Sequence, residues 1–335
     1  MGFYRFFLAV LVAIAHAGIH VYDYHQGVVA VISFYLLSGY VMTLLIEKYY
    51  KRPSAIPTFY LDRAARLFPQ FLFYMVLASA FIYFVKVDSQ FITQLTVSKW
   101  VLNFFMLPQG FYMYWADGAV VIPQSWSLGL EFTFYLVIPW ILVYCSRKQI
   151  YLLAGASFIV FLAAYLGKID TNYFGYRLLP GTLFMFLVGS SFSYNDKSSS
   201  RFRAAVFLSG AAMLLIAFLY KPLYQLLYNK EVLVGLLAGI LAIGLLRHVG
   251  SSRIDRFFGD LSYGIYLNHF IVIWAMQTFL AVKTFDAAHT ALLLLASCSL
   301  AWLSFHYVER PALMWRHALR NKARQRVSPA AQQGA

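Results

Sequence analysis

Charged residues are scarce in this sequence of 335 residues, since only 12% are charged and only 13 are acidic. A soluble domain carries about a quarter charged residues, so this chain lacks the polar shell that a soluble enzyme needs. Cysteine is also rare: Cys145 and Cys298 lie in or beside apolar segments and provide neither a disulfide framework nor the spacing of a metal site. Hydrophobic residues make up 61% of the chain, which also excludes a disordered protein.

Long apolar runs take the place of the missing charge. A helix that crosses a bilayer needs about 20 mostly apolar residues. Ten stretches come close to that length: 6–22, 28–46, 69–87, 127–145, 150–167, 180–193, 204–220, 232–247, 263–282 and 289–308. The runs are continuous rather than alternating, which excludes a porin-like barrel. The sequence therefore predicts an all-α fold, a polytopic membrane helical bundle of about ten transmembrane helices.

The basic residues are distributed unevenly between the segments that connect these runs. With the N-terminus inside, 20 of the 27 Lys and Arg residues fall in the inner segments and the tail, and 7 fall in the outer segments. Such an excess marks the cytoplasmic side of a membrane protein, so both termini are predicted to be cytoplasmic. This bias, and not nucleic-acid binding, explains the net charge of +14. We expect one membrane domain, residues 1–315, followed by a basic, disordered cytoplasmic tail, residues 316–335.

A few polar side chains interrupt the apolar runs: His16 and His20 in the first, Glu131 in the fourth, His269 in the ninth and His306 near the end of the tenth. Each costs a few kcal/mol in lipid and is therefore a candidate functional residue. His16 lies about 15 Å into its span, and His20 follows one helical turn later on the same face. Glu131 lies about 7 Å into its span from the outer side and needs a basic partner. The alternative for each group is a hydrogen bond or ion pair that only joins two helices.

Arginines form a second candidate group near the predicted cytoplasmic surface. Arg63 and Arg66 are three residues apart, so both face one side of a helical turn, and such a pair suits an anionic phosphate. Arg5 lies 11 residues before His16, about three full turns, and therefore projects from the same helix face. The alternative is that these arginines only supply the positive charge expected on the cytoplasmic side.

In their order along the chain, these residues resemble the motifs of acyltransferase family 3, a family of integral membrane proteins that includes bacterial O-antigen and exopolysaccharide O-acetyltransferases. The resemblance runs from Phe3 to about Trp315. The matching motifs are Arg5 with His16, a second-helix signature ending in Leu37-Ser38-Gly39-Tyr40, Arg63-Ala64-Ala65-Arg66 with Pro69, Trp126-Ser127-Leu128 with Glu131, Ser262-Tyr263 with Tyr266-Leu267 and His269, and Val308-Glu309-Arg310-Pro311. The chain departs from the pattern at two positions. Asp62 stands where many members have a further basic residue, and Phe132 stands where a second acidic residue often follows the glutamate.

The resemblance implies a membrane O-acyltransferase that moves an acyl group, expected to be acetyl, from cytoplasmic acyl-CoA to a hydroxyl of an extracytoplasmic or lipid-linked sugar or polysaccharide. It implies the bacterial cytoplasmic (inner) membrane as location, acetyl-CoA as donor substrate, and no bound cofactor or metal. In the expected catalytic site, His16 is the general base or forms an acyl-histidine, and Glu131 orients its ring. The residues expected to bind the donor are Arg63, Arg66, Arg5 and His269. Those expected to face the acceptor are His20, Trp126 and Ser127.

A polytopic transporter or flippase of a glycan or of the acyl donor is the main alternative, because ten spans with charged groups near the midplane also suit transport. The two similar halves with paired broken helices that are typical of a transporter are not recognisable in the sequence. A structural protein of a polysaccharide export machine would instead tolerate changes at His16 and Glu131. Turnover of acetyl-CoA separates the enzyme from both alternatives.

Overall fold

A computed structural model describes residues 1–85, 87, 89–116 and 118–315, and these residues form a bundle of α-helices. The only β pairing among them is an isolated bridge between Val21 and Tyr24. The helices are α1 (Gly2–His16), α2 (Gln26–Tyr49), α3 (Ile56–Val85), α4 (Val97–Asn103), α5 (Met106–Gln109), α6 (Ser125–Tyr144), α7 (Arg147–Tyr165), α8 (Leu179–Ser191), α9 (Lys197–Leu219), α10 (Lys221–Gln225), α11 (Asn229–Leu246), α12 (Arg253–Phe279) and α13 (Ala287–Ser304). The predicted tail, residues 316–335, lies outside the described residues.

Seven of the described helices are long and apolar enough to cross a membrane: α2, α3, α6, α7, α9, α11 and α13. All ten predicted apolar stretches fall on helices, and the other three fall on α1, α8 and α12. Of these, α1 and α8 have only 15 and 13 residues, while α12 begins with a charged turn. The prediction of a polytopic helical bundle is therefore confirmed.

The first helix differs from its prediction at both ends. It begins at Gly2 and ends at His16, whereas the apolar run suggested 6–22. It ends there because the chain turns at Gly18, whose φ of +84° a helix cannot contain. His16 is thus the last residue of α1, and His20 lies in the following loop. The expectation that His16 and His20 share one helix face is wrong.

Helices α1 and α12 pack side by side, run parallel and keep a common register. At one end, Gly2 of α1 approaches Gly259 of α12 so closely that a Cβ at either position would meet the partner helix backbone. At the other end, His16 contacts His269. The predicted first and ninth spans both run from the inside to the outside, which agrees with this parallel pairing.

Helix α2 lies at the centre of the bundle, where it packs against α1, α6, α8 and α11. Its crossing with α8 depends on two glycines: a Cβ at Gly39 would overlap the carbonyl of Phe186, and one at Gly189 would overlap the carbonyl of Leu36. Small residues at such crossings let helix backbones approach each other in a membrane. This close packing fixes the wall that α2 contributes to the cavities described next.

Candidate functional site

Three cavities lie in a row through the bundle. The mouth cavity, about 790 Å³, is lined by polar side chains that include Arg5, Glu47, Lys48, Arg63, Arg66, Asp260 and Glu309. The central cavity, about 150 Å³, is lined by the same three arginines and by Ser38, Ser127, Glu131, Tyr135 and Tyr266. The histidine cavity, about 130 Å³, is lined by side chains that include His16, His20, His25, Gln124, Trp126, Arg177 and Tyr266.

The order of these cavities follows from the residues that they share. Arg5, Arg63 and Arg66 line both the mouth and the central cavity. Val31 and Tyr266 line both the central and the histidine cavity, so Tyr266 lies between these two spaces. The row therefore leads from an arginine-rich opening near the start of α1 to the imidazole at its end, roughly 16 Å further along the helix.

A hydrogen-bonded pair of imidazoles forms the wall of the histidine cavity. His16 Nδ1 lies 2.9 Å from His269 Nε2, and the two rings are nearly parallel, with an interplanar angle of 9°. His269 Nδ1 lies 3.0 Å from the carbonyl oxygen of Ile265, one turn earlier on α12. His269 is completely buried, whereas His16 is exposed to the cavity.

These contacts assign the protons on both rings. The Ile265 carbonyl can only accept, so His269 Nδ1 carries a hydrogen and donates it. In a neutral His269 the Nε2 atom is then an acceptor, and His16 Nδ1 must donate to it. This leaves the lone pair of His16 on Nε2. A neutral imidazole held in this form can accept a proton from a hydroxyl group or attack an acyl carbon.

Glu131 does not orient His16, contrary to the sequence-based expectation. Its carboxylate lies in the central cavity and accepts a hydrogen bond of 2.5 Å from the hydroxyl of Tyr135. Within the described residues, no hydrogen bond or ion pair joins Glu131 to His16. The hydrogen-bond partner of His16 is His269, which the sequence analysis had placed among the donor-binding residues.

The arginines that were predicted to bind the donor meet at the mouth and central cavities, but they differ in their partners. Arg63 pairs with the buried carboxylate of Asp62, and Arg66 pairs with Glu309. Glu309 is brought into place by a π-helical turn, Phe305–Glu309, that follows α13. Arg5 lines both cavities, and its Nε atom is buried without a hydrogen-bond partner among the described residues. Arg5 is therefore the guanidinium with the most unused donor capacity in this region.

The three residues expected to face the acceptor lie in two different cavities. His20 and Trp126 line the histidine cavity. Ser127 lines the central cavity instead, and its hydroxyl lies 2.5 Å from that of Tyr266. Ser127 and Tyr266 thus form part of the partition between the central cavity and the histidine cavity.

Two residues of the histidine cavity were missed by sequence reasoning. His25 lies in the loop after α1, and its ring contacts that of His20 at 4.5 Å between centroids. Arg177 ends a π-helical turn, Tyr173–Arg177, just before α8. Their signal in the sequence is weak, because a histidine or an arginine in a loop between spans is ordinary. Only the fold shows that both residues face the cavity of His16.

The histidines do not form a recognisable metal centre. Within residues 1–85, 87, 89–116 and 118–315, no group of three or more His, Cys, Asp and Glu side chains is arranged to hold a metal ion. The chemistry that His16 can supply is that of an imidazole base or nucleophile next to a guanidinium-lined cavity.

The fold and the cavities define a polytopic membrane protein in which a row of cavities leads to a hydrogen-bonded histidine pair, the arrangement of a membrane-embedded enzyme. The Acyltransferase domain family matches residues 3–306 of the chain. The protein therefore belongs to this acyltransferase family, which confirms the resemblance seen in the sequence motifs.

Three relatives illustrate the range of similar proteins. An uncharacterized protein of Aquifex aeolicus is 33% identical over 197 residues, covering 56% of this chain and 86% of that protein. Peptidoglycan O-acetyltransferase OatA of Listeria monocytogenes is 25% identical over 325 residues, covering 85% of this chain and 51% of that protein. O-acetyltransferase OatA of Staphylococcus aureus is 22% identical over 319 residues, covering 85% of this chain and 52% of that protein.

The chain thus spans about half the length of the O-acetyltransferases that it matches. No solved structure matches the chain.

Proposed function

We propose that the protein is a membrane O-acetyltransferase that transfers an acetyl group from acetyl-CoA to a hydroxyl of an extracytoplasmic or lipid-linked sugar. The family supports acyl transfer, and the names of two relatives support O-acetylation, with peptidoglycan as the acceptor of one of them. The bacterial relatives and the apolar spans support a multi-pass location in the cytoplasmic (inner) membrane.

The donor enters through the mouth cavity in this proposal. Its phosphates are bound by Arg5 with the help of Arg63 and Arg66, since guanidinium groups match phosphate geometry. The two paired arginines keep their carboxylate partners, so Arg5 provides the largest share of new hydrogen bonds. The narrow, largely apolar central cavity then holds the pantetheine arm and directs the thioester towards Tyr266 and His16.

The reaction itself is a direct transfer. His16 Nε2 removes the proton from the acceptor hydroxyl as its oxygen attacks the thioester carbonyl carbon. The C–S bond then breaks, and the departing CoA sulfur takes the same proton from His16, so that the imidazole returns to its neutral form. His269 holds His16 Nδ1–H throughout and stabilises the cation that forms transiently. The observation that carries this proposal is the hydrogen bond from His16 to the buried His269 beside the passage.

The direct test is acetyl transfer by purified protein carrying His16→Ala. We expect transfer of labelled acetyl from acetyl-CoA to glycan to fall by about 10²- to 10⁴-fold, the usual contribution of a general base. His306→Ala is the matched control, because this ring lies outside the three cavities and bonds only the carbonyl of Trp302 on its own helix. Transfer by folded His16→Ala at the wild-type rate would refute the proposal, and so would an equal loss in His306→Ala, since a ring outside the cavities would then matter as much.

A further inference from the structure

Arg177 sits in an aromatic cage at the edge of the histidine cavity. Its guanidinium carbon lies 4.9 Å from the ring centre of Trp126, 5.4 Å from Tyr176, 5.6 Å from Tyr112 and 6.0 Å from Tyr228. Its Nη1 atom donates a hydrogen bond to the hydroxyl of Tyr112. Cation–π contacts of this kind hold an arginine in one orientation.

The cage leaves the positive charge of Arg177 without an acidic partner. Within the part of the chain that the structure describes, no carboxylate forms an ion pair with it, and its Nε atom is buried without a hydrogen-bond partner. The residues lining the histidine cavity include three histidines and this arginine but no Asp or Glu. An uncompensated cation in a low-dielectric site is costly. An anion that enters the cavity removes this cost by balancing the charge of the guanidinium.

The position of Arg177 decides which substrate would supply that anion. Arg177 and His16 line the same cavity, while the arginines that suit the donor phosphates line the other two cavities beyond Tyr266. A negative group at Arg177 therefore belongs to the molecule that approaches from the far side of His16. In the proposed reaction that molecule is the sugar acceptor.

Building on the proposed function, we infer that Arg177 forms an anion subsite that selects an acceptor sugar with an oxyanion, a carboxylate or a phosphate, near the hydroxyl to be acetylated. Bound in this way, the acceptor presents its hydroxyl to His16 Nε2. A neutral sugar leaves Arg177 unpaired and binds less tightly.

The test measures the binding of three probes to purified protein in detergent. The probes are a galacturonic acid trisaccharide, the neutral galactose trisaccharide obtained by reducing its carboxyl groups, and galactose 1-phosphate. We expect at least one charged probe to bind about 10- to 100-fold more tightly than the neutral trisaccharide, as hydrogen bonds to a charged group predict. Which charged probe binds better identifies the carboxylate or the phosphate as the source of the anion.

Variants separate binding of an anion from simple packing in the cage. Arg177→Gln should abolish the preference for charged probes, and Arg177→Lys should restore part of it, because the charge is kept. Arg203→Gln is the matched control, since Arg203 also stacks on an aromatic ring, Phe192, but lines none of the three cavities. It should keep the full preference.

The inference is overturned if the wild-type protein shows no preference for either charged probe, including the case of no measurable binding, or if Arg177→Gln keeps the preference. Failure of the proposed function would be seen in a different measurement. Membranes would then show no acetyl-CoA-dependent acetylation of native glycan, whichever probes the purified protein binds.

Discussion

At the scale of single residues, the position of one proton governs the proposed chemistry. The Ile265 carbonyl fixes the hydrogen of His269, and His269 fixes that of His16, so that the lone pair of His16 is on Nε2. A hydrogen-bonded chain of this kind performs the task that a carboxylate performs in a catalytic triad, without placing a negative charge in the membrane. In the proposed reaction His269 thus positions His16, whereas the sequence analysis placed it among the donor-binding residues.

The role of His269 can be tested by comparing two substitutions. His269→Leu removes the acceptor for His16 Nδ1–H, so we expect kcat to fall by at least about 10²-fold while the KM for acetyl-CoA stays near its wild-type value. His269→Gln provides a carbonyl oxygen as acceptor and should recover part of the loss. Steady-state kinetics of both variants would contradict the positioning role if KM alone changed, or if Gln gave no more activity than Leu.

Sequence reasoning could identify reactive residues but not their partners. His16 and Glu131 stand out because a polar group is rare in an apolar run. The partner of His16 lies 253 residues away, and the pairing depends on where α1 ends and on how it aligns with α12. Arg177 could not be identified because a single arginine in a segment between two predicted spans gives no sign that it lines a cavity.

At the scale of helices, the crossing of α2 and α8 sets the shape of the central wall. Gly189→Leu would drive a side chain into the Leu36 carbonyl, and we expect it to lower the free energy of unfolding by about 3 kcal/mol. Gly155→Leu on α7 is the matched control, because a Cβ there meets nothing within 4 Å. Thermal unfolding in detergent, followed by tryptophan fluorescence, should show a clear loss in the first variant only. Equal midpoints for the two variants would contradict the packing argument.

The loop between α1 and α2 is held over the histidine cavity by Asp23. Asp23 accepts hydrogen bonds from Lys230 and from the hydroxyl of Tyr224, and the Lys230 contact lowers the pKa of Asp23 below its ordinary value of 3.8. A carboxylate whose pKa is lowered by folding contributes stability that is complete above about pH 4 and is lost as the pH falls through the lowered value. Above that range the loop stays in place beside His20 and His25.

Removing this charge should therefore loosen the loop at neutral pH. In Asp23→Asn we expect faster amide hydrogen exchange in residues 17–25 at pH 7, with little change in the helices, because the Asp23 carboxylate is exposed and solvent screens its ion pair with Lys230. Asp286→Asn, at the N-cap of α13, is the control and should leave this loop unchanged. Unaltered exchange in Asp23→Asn would show that the loop is held by other contacts.

The helices themselves were predictable because each needs a long apolar run, whereas their ends were not. The run that contains α1 continues to residue 22, yet the helix ends at His16 because Gly18 adopts a positive φ. Apolar residues beyond that point give no sign of the turn. This difference of six residues placed His16 at the edge of a cavity and moved His20 from the helix into a loop.

At the scale of the whole molecule, the three cavities form one row between two faces of the bundle. In the predicted topology, the excess of Lys and Arg places the mouth cavity on the cytoplasmic side, and the histidine cavity lies towards the opposite side. The proposed enzyme therefore takes its donor from one side of the membrane and acetylates its acceptor from the other. The composition predicts a membrane bundle, but only the three-dimensional arrangement reveals the row of three cavities within it.

Transfer across a sealed bilayer tests this account most directly. Protein is reconstituted into vesicles with the mouth cavity facing outwards, labelled acetyl-CoA is added outside, and acceptor glycan is trapped inside. The account predicts labelled glycan in the lumen for wild-type protein and for His306→Ala, and none for His16→Ala. Labelling only when donor and acceptor share one compartment, or equal labelling by His16→Ala, would contradict it.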